Sequence, residues 1–115
     1  MIDDQKTFET QLMTNHPKLA AIPVEGGDAY FRRPTPEEWE EMQSLRENAD
    51  GTTNRTPYLR LVHQCFVGAW IGGKQSQDTL DAIAEREGPA FIGGPCGAVV
   101  NKLAGTGDRQ ARFLG

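Results

Sequence analysis

From residue 58 to 71 the chain reads YLRLVHQCFVGAWI, and the recurrence of its apolar side chains limits what this segment can become. At about 100° per residue, Leu59, Val62, Phe66, Ala69 and Trp70 fall on one side of a helical wheel, with Cys65 at its margin, opposite Arg60, Gln64 and Gly68. The spacing predicts a central core helix that buries Phe66 and Trp70 and stops at Gly72 and Gly73. A chain of 115 residues has room for one modest core around such a helix.

Upstream, two short apolar segments flank Gly26 and Gly27, and a glycine pair supplies the positive φ that tight hairpin turns need. The expected hairpin pairs residues 19–24 with 28–33. Pro23 marks its first strand as an edge or irregular strand, because proline cannot donate to the ladder. A helix then starts at Thr35: the hydroxyl can cap, Pro36 suits the first turn, and Glu38 completes a Thr-x-x-Glu capping box. Glu37 and Glu38 also face the positive end of the helix dipole. Downstream, Ser76 can cap a third helix carrying Leu80 and Ile83, closed by Gly88 and Pro89. In a last helical segment Ile92, Cys96, Val99, Val100 and Leu103 align at helical spacing, although Gly94 and Pro95 can equally mark a fresh start. The fold expected is α+β and mainly α, an N-terminal β-hairpin followed by three or four packed helices. Residues 1–17 read as a polar leader, 18–105 as the single domain and 106–115 as a flexible tail.

The residues that could carry chemistry have plainer roles available. His63 and Cys65 are two apart, so on a helix they point about 200° away from each other and cannot act as base and nucleophile. His63 reads as a half-buried core histidine. A zinc site of His63, Cys65 and Cys96 lacks a fourth ligand and paired spacing, and the two cysteines, each among apolar residues, read as small core side chains. The stretch IGGPCGAVVNK lacks the Gly-Lys-Ser/Thr of a phosphate loop, so its glycines are read as permitting close packing or a bend. Glu37, Glu38, Glu40 and Glu41 spread around the exposed side of a helix, where capping and solubility account for them. Arg32 and Arg33 alternate across a strand, so a charge pair with nearby glutamates is the simplest role for one of them. No catalytic residue, cofactor or metal is expected.

Net charge is −4, which gives no nucleic-acid footprint, and the charge is uneven: residues 1–57 hold eleven acidic against six basic side chains, residues 58–115 five against six. The front half is therefore the better face for a basic partner. No apolar run approaches the roughly 18 residues of a membrane span, and the acidic N-terminus has no signal-peptide core, so a cytosolic protein is expected.

In order, YFRRPTPEEW, an acidic helix, LRLVHQCFV and LDAIAEREGPAF leading to NKLAG resemble the small tail assembly chaperones of long-tailed bacteriophages. The matching residues are Phe31, Arg32, Arg33, Pro34, Thr35, Glu38, Trp39, Leu61, Val62, Cys65 and Val67, then Leu80, Asp81 and Leu103, Ala104 and Gly105. The chain departs from the family pattern at GAWIGGKQSQ, where a tight proline turn is usual, and at the Gly-rich IGGPCG. The resemblance implies a non-enzymatic protein of the host bacterial cytoplasm that binds the tape measure protein and keeps its apolar helices from aggregating. Self-association is possible within that reading, and a structural virion component, a head-tail or tail-tube subunit, is the competing class. A small regulatory module that binds an enzyme is a third. The partner surface is expected at Trp70, Ile71, Phe91 and Ile92, beside the glycines that leave them uncovered, with packing of Ile71 on the third helix or on a second copy as the alternative.

Overall fold

The computed structural model describes residues 4–105 and the backbone of Arg112–Phe113. Helix α1 (Gln5–Asn15) precedes strands β1 (Leu19–Val24) and β2 (Gly27–Arg32); helices α2 (Pro36–Leu45) and α3 (Thr56–Cys65) follow, then β3 (Phe66–Ile71) and β4 (Lys74–Ser76), helix α4 (Leu80–Glu87), a π-helical turn (Ile92–Cys96) running into α5 (Gly97–Leu103), and the two-residue strand β5 (Arg112–Phe113). The strands form one antiparallel sheet in the order β4-β3-β2-β1-β5.

The expected N-terminal hairpin followed by packed helices is therefore corrected. Strands β1 and β2 do pair, Leu19 with Arg32 through Val24 with Gly27, but a helix precedes them and two further strands follow in the middle of the chain. The helix predicted across residues 59–70 stops at Cys65, and Phe66 opens β3. The cause is tertiary: β2 offers a free edge, and Phe66, Val67, Trp70 and Ile71 are aromatic or β-branched, the types that fit a pleated surface. Trp70 pairs with Asp28 and Ile71 with Gly27, and the ladder shifts register between Tyr30 and Phe31, where a β-bulge absorbs the mismatch. Gly72 and Gly73, at φ 67° and 77°, form the two-residue turn that β3 and β4 require.

Both sheet faces are covered, which is why β1 reads as an unbroken apolar run instead of an alternating one. Leu19, Ala21, Tyr30 and Trp70 face α1, where Phe8 is the buried anchor. Ala20, Ile22, Phe31 and Ala69 face the other helices and meet Leu61, Val62, Ile83, Val99 and Val100 in the larger cluster. Residues 1–17, read as a leader, thus contain a helix docked on the sheet: Asp4 caps it by accepting from the Thr7 N–H at 2.8 Å, and Phe8 packs edge-on to Tyr30 with centroids 5.5 Å apart. Gly68 makes room for this contact, since a Cβ there would sit 3.2 Å from the Phe8 ring, and at φ 155° the residue holds a backbone that favours glycine. Of the tail expected to be flexible, residues 106–111 and 114–115 lie outside the described residues, while Arg112 and Phe113 pair with Ala21 and Ala20.

Candidate partner-binding surface

The phrase YFRRPTPEEW forms a single strand-to-helix joint. Alternation along β2 sends Tyr30 toward α1 and Phe31 toward the larger core, where its ring meets Phe66 edge-on at 5.7 Å. The Tyr30 hydroxyl donates to Glu9 at 2.6 Å and accepts from the Gln5 amide at 2.7 Å; burial and the Glu9 carboxylate raise its pKa. Gln5 also donates to Asp28, which ties α1 to β2 a second time. The guanidinium of Arg32 forks onto Glu38 at 2.8 and 2.9 Å. Glu38 in turn accepts from the Thr35 N–H at 2.9 Å while Thr35 accepts from the Glu38 N–H at 3.1 Å, completing the capping box of α2. Arg32, opposed by partial burial and helped by the Thr35 N–H, lowers the Glu38 pKa to about 2.

Pro34 is buried behind the joint and Trp39 is half-buried against the larger core. Arg33 is exposed, and its N–H donates to the Lys18 carbonyl at 3.1 Å, one step past the Leu19–Arg32 pair. Two clefts open on either side of it: one bounded by His16, Pro17, Lys18 and Pro34, the other by Pro34, Pro36, Trp39 and Ala104. Periodicity did not single out this corner, although the adjacent arginines were its visible sign.

The four residues expected to bind a partner do not form one surface. Trp70, 5 % exposed, packs under α1, and Phe91, 6 % exposed, lies in the larger cluster on the other side of the sheet, so neither ring is presented to solvent. Ile71 and Ile92 are half-buried against that larger cluster. Phe91 does border an open, mostly apolar groove with Ile22, Pro23, Pro89 and Pro95, and Ile92 a separate cleft of mixed character with Arg55, Leu59 and His63.

His63 differs from its expected place as a half-buried core residue. It lies on the exposed side of α3, where Nδ1 faces the Leu59 carbonyl at 2.9 Å and Nε2 faces Asp81 at 3.0 Å, and these acceptors, Asp81 first, raise its pKa. Cys65 and Cys96 are buried free thiols, and burial pushes both up to about 12. Among the described residues no group of three His, Cys, Asp or Glu side chains is placed to hold a metal ion, and no helix is long and apolar enough to cross a membrane. No family model, curated protein or solved structure matches this chain.

Proposed function

We propose that the chain is a phage tail assembly chaperone that binds a tape measure protein in the bacterial cytoplasm and prevents its aggregation before the tail tube closes around it. The observation that carries the proposal is the joint at residues 30–39. Phe31, Arg32, Pro34, Thr35 and Glu38, the residues of the phrase that resembles the chaperones, act together in one structural unit through burial, a forked ion pair and a reciprocal cap. The phrase forms the element that turns the sheet into its helical layer, and this supports reading it as one motif. The perturbed groups fit a binding protein as well: Glu38, Tyr30, His63 and the two thiols each owe their shift to a structural contact or to burial.

Fractionation of an infection tests the proposal against the competing one. A chaperone is abundant in the infected-cell lysate and missing from purified particles. Recovery of the chain from washed particles at a fixed ratio to the tail-tube protein would make it a structural virion component.

A further inference from the structure

We infer that the corner formed by Lys18 and Arg33 receives an acidic segment of the partner polypeptide; the inference rests on the chaperone reading and names the chemistry of the segment bound. Lys18 and Arg33 are cross-strand neighbours, continuing the register that pairs Leu19 with Arg32, and the bond from the Arg33 N–H to the Lys18 carbonyl fixes them side by side. Two cations directly opposite each other destabilise a strand pair. A nearby carboxylate would offset that repulsion. Here Glu37, the glutamate closest to Arg33 in sequence, forms no ion pair with it, Glu38 is engaged by Arg32 and by the cap, and among the described residues neither Lys18 nor Arg33 makes an ion pair. The two clefts that meet at Arg33 have no carboxylate in their walls, although the chain as a whole is acidic.

The other walls include Pro17, Pro34, Pro36 and the half-buried Trp39, rigid surfaces against which an extended segment loses little freedom beyond its own. A carboxylate seated between Lys18 and Arg33 removes the repulsion between them and gains charge-assisted bonds from an arginine fork. The structural joint uses the Arg32 side chain and the Arg33 backbone but leaves the Arg33 guanidinium without a hydrogen bond or ion pair among the described residues, and partner recognition supplies one.

The test uses the full chain, tagged and co-expressed with the tape measure protein of the same genome, as wild type, Arg33→Glu and Arg33→Lys. Arg33→Glu places opposite charges across the strand pair, so its melting temperature is expected to stay level or rise while its affinity for the partner falls on the order of tenfold or more. Arg33→Lys keeps the charge but loses the fork, so its affinity is expected to fall between those of wild type and Arg33→Glu. Retention by the wild type should also weaken as salt is raised and should survive nuclease treatment. Equal retention by wild type and Arg33→Glu overturns this inference and leaves the chaperone reading standing. Retention that nuclease abolishes overturns it too, because the occupant is then nucleic acid. A wild-type chain that retains no tape measure protein removes the chaperone reading and this inference together.

Discussion

Arg32 and Glu38 lie six residues apart on opposite sides of the β2–α2 joint and are held by two charge-assisted hydrogen bonds of 2.8 and 2.9 Å. The same carboxylate caps α2, so one side chain fixes both the angle at which the chain leaves the sheet and the start of the helix.

That double role gives a pH signature. Glu38 has a folded pKa near 2, below its ordinary 4.5, so its contribution is complete above pH 4.5 and is lost as pH falls toward 2. Glu38→Gln is expected to cost roughly 1 to 3 kcal/mol at pH 7, and the gap between variant and wild type should shrink in denaturant titrations carried from pH 5 to pH 2.5. A gap that does not change over that range would show that the ion pair is not what stabilises the joint.

Phe8 is the residue on which α1 depends. It is 3 % exposed and contacts both Tyr30 and Trp70, with ring centroids at 5.5 and 5.6 Å. Phe8→Ala is expected to destabilise the protein by about 3 to 5 kcal/mol and to shift the Trp70 fluorescence toward that of a solvated indole. A loss below about 1 kcal/mol would mean that α1 does not dock as described.

What the sequence made legible, and what it hid, follows from which interactions are local. The cap at Thr35 is decided within four residues, and the glycines at 26 and 27 announce a turn between two apolar runs; both can be read directly. Strand β3 could not be read from its own residues, because Leu59, Val62, Phe66, Ala69 and Trp70 satisfy a helical wheel and only pairing with β2 resolves the choice. The missed clue was WIGGK, a glycine pair between strand formers, the same signal already recognised at Gly26 and Gly27. Helix α1 was hidden for the opposite reason: Phe8 is its one fully buried side chain, and with only the half-buried Leu12 and Met13 beside it the apolar pattern is too short to stand out. Of the proposed binding corner only the paired arginines could be seen, since the nearness of Lys18 to Arg33 depends on the register of β1 on β2.

The two thiols give a third prediction. With pKa values near 12 and no solvent exposure, Cys65 and Cys96 should both resist alkylation at pH 8 in the folded protein and both react once it is unfolded in denaturant. Rapid labelling of either in the native state would show that the helical layer opens locally.

Gly97 packs against Tyr58, whose hydroxyl accepts a 2.9 Å bond from the Asn101 amide, and a Cβ at 97 would strike that hydroxyl. Gly97→Ala is expected to cost about 1 to 3 kcal/mol, less in a Tyr58→Phe background, where the nearest of the struck atoms is gone and only the ring carbons remain. Additive losses in the double variant would place the Tyr58 ring elsewhere.

The most direct measurement of the central claim is the solubility of the tape measure protein expressed with and without this chain. Produced alone, the tape measure protein should pellet on centrifugation of the lysate; produced with the chain, it should remain in the supernatant and elute with it on size exclusion. A tape measure protein that pellets equally in both cases, while the chain itself is soluble and folded, would contradict the account.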